Sequence, residues 1–241
     1  MRKWVLSVAA CGLVALISQP SQATTVTFSS NGNFANPTNC TGVFSPACTT
    51  ANGGNTLILG TGAFGGGAQS TLKAIDLSST TTSTPQNDFK IGEIDWVNNP
   101  TTNTDSNFND NYTLTMSFTA PGVSTQTALI ALNIQQPTNP PGDSVTNLVL
   151  SALSPLDVSF SGLTVSDVKF SLGSAGSGST FNSTTGAWFN PENNTAKLFI
   201  TADFTDTGSP SQTSAVPEPM SLVLFGSGLV GLGLIRRSRR V

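Results

Sequence analysis

The sequence predicts an all-β fold: a β-sandwich of about eight to ten strands, with the jelly roll as one variant. Three observations carry this. Residues 112–120 and 196–204 alternate apolar with polar side chains at period two, the pattern of a strand with one buried and one solvated face. No window longer than about ten residues sustains a helical period. Gly, Pro and Asn recur between the apolar runs, where turns need them.

The elements follow in chain order. Arg2 and Lys3 precede an apolar stretch from Trp4 to Ile17, and Ser21-Gln22-Ala23 ends in small residues. That order is a secretory signal peptide, predicting a signal helix within 1–23 and cleavage by signal peptidase after Ala23. The β-sandwich domain is expected over 24–204, with strands at 25–28, 55–59, 72–77, 89–97, 112–120, 128–134, 156–160, 168–172 and 196–204. Within 89–97 the apolar phase changes across Gly92, which predicts a bulge. In 128–134, Leu129 and Ala131 lie opposite Ala128, Ile130, Leu132 and Ile134, so this strand is expected to be more buried than the others. Segments 78–84, 98–111, 136–144 and 173–185 read as loops, and 205–215 as a polar spacer.

Residues 216–241 read as a targeting segment. Val216-Pro217-Glu218-Pro219 comes first, with the prolines holding the chain extended. Residues 220–235 carry no charge and predict a transmembrane helix. A helix of that length spans roughly 24 Å, short of a hydrocarbon core of about 30 Å, and inserts with local thinning or snorkelling of flanking arginines. Arg236, Arg237, Arg239 and Arg240 within 236–241 form a basic stop that predicts a cytoplasmic end. A plain membrane anchor fits the same physics. The order of motif, apolar run and basic stop resembles the PEP-CTERM sorting signal of Gram-negative bacteria that have exosortases. The resemblance implies recognition at Pro-Glu-Pro, processing near it by a membrane-embedded exosortase, and an inner-membrane intermediate that ends at the cell surface or in the extracellular matrix.

Charge narrows the partners. Between 24 and 215 there are twelve acids and four lysines, a net charge of −8 against −3 for the whole chain. An acidic body without arginine argues against nucleic acid and anionic headgroups. The remaining polar surface is Ser, Thr, Asn and Gly, which suits a polysaccharide-rich setting.

Cysteine and histidine usage narrows the chemistry. Cys11 falls in the signal segment, leaving Cys40 and Cys48 to form a disulfide in an oxidising compartment. The chain has no histidine, which removes Ser-His-Asp and Cys-His catalysis and histidine zinc sites. Glu93 and Asp95 would share one face of a strand as a carboxylate pair, but paired surface acids explain them more simply, and the chain is expected not to be an enzyme. Asp105, Asn107 and Asn109 fit the first three ligand positions of a calcium loop. Asp110 stands where the glycine belongs and Met116 where the bidentate acid belongs, so this is no EF-hand. Ca2+ is the one cofactor the residues allow for, and an Asn/Asp turn is the plainer reading. Trp96 and Trp188 with Phe189 read as core packing, with a sugar platform as the alternative.

A second resemblance rests on Phe89-Lys90-Ile91-Gly92, the turn Asn98-Asn99-Pro100 and the Thr/Ser-rich strand 114–119. Together these resemble the choice-of-anchor K domain, over about 26–205, with Trp96 where that pattern has histidine. The resemblance implies a β-rich exported domain and brings no catalytic residues. The expected function is therefore an exported, surface-sorted, non-enzymatic protein of the extracellular matrix or exopolysaccharide layer. A carbohydrate- or calcium-binding module is the alternative, and a glycoside hydrolase comes last.

Overall fold

Among the described residues, fourteen strands pair antiparallel into two seven-stranded sheets that pack face to face as a sandwich. The architecture comes from a computed structural model, which describes residues 23–40, 48–60, 68–100, 106–137 and 142–207. In chain order the strands are β1 (Thr25–Thr38), β2 (Cys48–Ala51), β3 (Thr56–Leu59), β4 (Ser70–Ile75), β5 (Leu77–Ser83), β6 (Gln86–Asn98) and β7 (Ser106–Ala120). There follow β8 (Ser124–Gln136), β9 (Asp143–Thr146), β10 (Val158–Phe160), β11 (Leu163–Ala175), β12 (Thr180–Asn182), β13 (Ala187–Asn190) and β14 (Asn194–Asp206). The first sheet runs β12-β13-β9-β8-β7-β1-β5, and the second β10-β11-β14-β6-β4-β3-β2. Of the segment 1–23 that reads as a signal peptide, residues 1–22 lie outside the described residues, as does the predicted tail 216–241. Among the described residues no helix is long and apolar enough to cross a membrane.

Period-two alternation builds the core. Phe108, Tyr112, Leu114, Met116 and Phe118 of β7 are all buried, as are Leu198, Ile200, Ala202 and Phe204 of β14. At one end of the sandwich Phe28 and Phe118 of the first sheet meet Phe204 of the second, with ring centroids 5.6 Å (Phe28–Phe204) and 6.4 Å (Phe118–Phe204) apart. Trp96 and Trp188 pack together toward the other end. Interdigitated aromatics of this kind supply most of the apolar area that holds two sheets together.

The sandwich matches the sequence expectation, and several details differ. The strands outnumber the expected eight to ten partly because β2, β9, β12 and β13 are three or four residues long, too short to show a period. The predicted loop 78–84 is largely β5, an exposed edge strand of Ser and Thr with no apolar alternation to reveal it. The predicted strand 72–77 divides at Asp76, and β4 and β5 belong to different sheets. Leu129 is 59 % exposed, so β8 buries one face only. The bulge expected at Gly92 falls one residue earlier: Gly92 pairs with Ile200 and Lys90 with Thr201, leaving Ile91 without an opposite number. Strand β14 runs two residues past the expected boundary at 204.

Candidate functional site

The Cys40–Cys48 disulfide forms as the sequence predicts, with Cα atoms 5.0 Å apart, inside the usual range. Cys40 follows β1 of the first sheet and Cys48 opens β2 at the edge of the second, so the bond staples the two sheets.

Residues 106–111 of the calcium segment run in strand β7 rather than in a loop. Asp105 lies outside the described residues. Asn107 and Asn109 sit in β7, opposite Gln135 and Asn133 of β8, and Asn109 Oδ1 accepts a hydrogen bond of 2.8 Å from Asn133 Nδ2. Strand alternation sends Phe108 and Asp110 inward, both at most 2 % exposed, and Asn107 and Asn109 outward. The Asn-rich composition reads as a turn, but 108, 110 and 112 continue the inward series of 114, 116 and 118, and tertiary pairing decides. Asn107 and Asn109 are therefore strand residues within the outer amide surface. Asp110 accepts backbone hydrogen bonds from Asn111 and Ala35, and burial pushes its carboxyl up to about 6. The sugar-platform alternative also falls, because Trp96 and Trp188 are 0 % and 1 % exposed.

The carboxylate pair is an ion-pair ladder. Glu93 and Asp95 share the outer face of β6 with Lys197 of β14 opposite. Lys197 Nζ lies 2.5 Å from Glu93 Oε1 and 2.9 Å from Asp95 Oδ1, and Lys90 Nζ lies 2.6 Å from Glu93 Oε2. Burial raises the Glu93 carboxyl, but the hydrogen bonds from Lys197 and Lys90 outweigh it and hold Glu93 at about 2. Burial, reinforced by the neighbouring Glu93, pushes Asp95 up against the pull of Lys197. Both Glu93 oxygens accept from ammonium groups, Oε1 from Lys197 and Oε2 from Lys90.

A second acidic group was not legible in the sequence. Asp88, Asp167 and Asp203 bring carboxylate oxygens within 4.8 Å of one another. Two bulges build it: Asp88 in β6 and Asp167 in β11 flank Asp203 on the strand between them, each with positive φ. Lys169 Nζ fills the group, 2.7 Å from Asp88 and 2.5 Å from Asp167, and these bonds push the lysine pKa up. All four lysines among the described residues thus belong to the second sheet, on β4, β6, β11 and β14.

The first sheet is the opposite. Across β1, β7 and β8 its outward residues are Thr, Ser, Asn, Gln and Ala with Leu129, and none is charged. Hydroxyl pairs bridge its strands at 3.2 Å, Thr27 to Thr81 and Thr115 to Thr127.

A buried polar layer closes the tryptophan end. Asn98 Nδ2 of the second sheet donates to the Asn190 carbonyl of the first over 2.7 Å, and Ser70 Oγ donates to Asn98 Oδ1 over 3.0 Å. Gln136 Nε2 donates to Asp143 Oδ2 over 3.0 Å. Asn98, Gln136, Asp143 and Asn190 are each at most 1 % exposed. Burial, then the charge of Glu192, pushes Asp143 up to about 7, against hydrogen bonds from Gln136 and Asn98. Only the tertiary pairing of β6, β8, β9 and β13 assembles this layer, so the sequence gives no local signal for it.

Comparison with protein-family models gives no match. Comparison with curated proteins gives no match either.

Proposed function

We propose that this protein is an exported, non-enzymatic β-sandwich that is sorted to the cell surface and resides in the extracellular matrix or exopolysaccharide layer. Signal peptidase cuts after Ala23. The helix 220–235 then holds the chain in the inner membrane until an exosortase processes it at Val216-Pro217-Glu218-Pro219. The observation that carries this reading is the order of motif, uncharged segment and the basic cluster Arg236, Arg237, Arg239 and Arg240. The signal-like segment 1–23 agrees with it independently.

The body supports a matrix role. A sheet face of hydroxyls and amides, without charge, presents hydrogen-bond donors and acceptors to sugar hydroxyls. The test is cell fractionation of a Pro217→Ala, Pro219→Ala double variant. Retention in the inner membrane, with the native chain at the surface or in the medium, is the expected outcome. Equal distribution of the two chains would contradict sorting through this motif.

A glycan-binding module is the second reading, favoured by the same uncharged face. Saturable binding to one sugar on a glycan array, lost when Thr115 and Thr127 are replaced by Lys, would establish it.

A further inference from the structure

Strands β9 and β13 form a short section of the first sheet at the tryptophan end. Each has four residues, and their pairings are brief: Ser144–Thr146 of β9 with Asn133–Gln135 of β8, and Asp143–Val145 of β9 with Trp188–Asn190 of β13. Strand β7, by contrast, meets β8 over the whole of Ser106–Phe118. Residues of positive φ bound both short strands. Gly142 (117°) and Asn147 (69°) lie before and after β9, and Gly186 (64°) and Asn193 (58°) before and after β13. The ends of elements are where hinge motion is absorbed. Trp188 of β13 closes this section onto Trp96 of the second sheet.

Asp143 ties the section to its surroundings. It opens β9, pairs with Asn190 of β13 and is 1 % exposed. Its carboxylate accepts from Gln136 Nε2 of β8 over 3.0 Å and from the Asn98 amide of β6, so one side chain bonds to both sheets. Among the described residues no base faces it. Strand β8 brings Gln136, β13 brings Asn190 and β6 brings Asn98, none of them titratable. The charged side chain that acts on it is Glu192, on the β13–β14 turn and of the same sign. The ion pairs of Lys90, Lys169 and Lys197 lie on the second sheet with other acids. Burying an ionised carboxylate without a cation is costly, and burying the neutral acid is not. The neutral acid needs an acceptor for its O–H, and Gln136 holds one. Its Oε1 is buried without a partner among the described residues, and a half-turn of the amide exchanges that oxygen with Nε2, 3.0 Å from Asp143 Oδ2.

We propose that Asp143 is a proton-controlled latch, which holds β9 and β13 closed on Trp96 while its carboxyl is neutral and lets them open once it ionises. The proton released on opening passes to water. Burial and the charge of Glu192 raise the folded carboxyl to about 7, above its ordinary 3.8. The closing contribution is therefore complete below about pH 4 and is lost as pH rises through 7.

The test is hydrogen exchange read by mass on the full-length protein in detergent, from pH 6 to 9, with protection corrected for the intrinsic rate at each pH. Peptides covering 143–146 and 187–190 should be less protected than those covering 112–118. Above pH 7 their protection should fall about tenfold per pH unit, the slope for one proton. Asp143→Asn should remove that dependence, and Asp110→Asn should leave it in place. Glu192→Gln removes a charge that raises the Asp143 carboxyl, so the fall should begin at lower pH and the two segments should be better protected at pH 8. That variant keeps the test decisive if Asp143→Asn does not fold. Protection of 143–146 and 187–190 that is constant from pH 6 to 9 would overturn the proposal. Protection equal to that of 112–118 throughout would show that the section opens only with the whole domain and would overturn it equally. The same would follow from a pH dependence that survives Asp143→Asn, or from an onset unmoved by Glu192→Gln.

Discussion

Trp96 of one sheet and Trp188 of the other meet edge to face, with ring centroids 5.0 Å apart and planes inclined at 76°. Both are essentially fully buried, and neither indole N–H has a partner among the described residues. The pair anchors the two sheets directly beside the polar end layer. Trp96→Ala removes the largest core side chain and should cost about 3–5 kcal/mol. Trp96→Phe keeps a ring and removes an unpaired buried donor, so its cost should be about 1–2 kcal/mol. Urea unfolding of the two variants checks the order.

Asp110 is the next test. Its carboxyl stands at about 6 when folded, well above its ordinary value of 3.8, because it is buried. The stability it contributes is complete below about pH 4 and is lost as pH rises through 6. The loss reaches at most about 3 kcal/mol. Asp110→Asn keeps an acceptor for the Asn111 N–H and removes the ionisation. The variant should match the wild type at pH 4 and exceed its Tm at pH 8.

Glu93 behaves with the opposite sign. Its folded value of about 2 lies below the ordinary 4.5, so its contribution is present above pH 4.5 and is lost as pH falls toward 2. Glu93→Gln leaves Lys90 without its carboxylate and Lys197 with Asp95 alone. The expected destabilisation is about 1–3 kcal/mol at pH 7, and it should shrink in acid. Thermal unfolding of both chains between pH 3 and 7 tests this.

The disulfide closes a short loop, a separation of 8 residues. Loop entropy alone gives about 2.5 kcal/mol for a closure of that size. A Cys40→Ser, Cys48→Ser variant should lose about that much stability while keeping its β-sheet circular dichroism. A stability unchanged by the substitution would show that the staple does not act through the unfolded chain.

Legibility in the sequence followed local periodicity. The inward series of β7 and β14 is visible because β7 alternates without interruption over 112–120 and β14 departs from alternation only at Phe199, and those two strands carry much of the core. The Cys40–Cys48 bond is legible because only two cysteines lie between 24 and 215, which leaves one pairing there. Strand β5 is hidden by its Ser and Thr run, and the composition around Asn107 and Asn109 suits a turn although both lie in β7. The Asp88–Asp167–Asp203 group depends on two bulges, and the Asp143–Gln136 layer on pairing between strands. Neither has a signature within any single window, since the residues meet only after the sheets form.

The sorting of the chain is tested most directly by the intact mass of the native protein, recovered both from the cell envelope and from the medium. Processing at both ends predicts a chain that begins at Thr24 and ends near Pro217. A mass that retains Arg236, Arg237, Arg239 and Arg240 in every fraction would contradict exosortase processing and leave residues 216–241 as a plain membrane anchor.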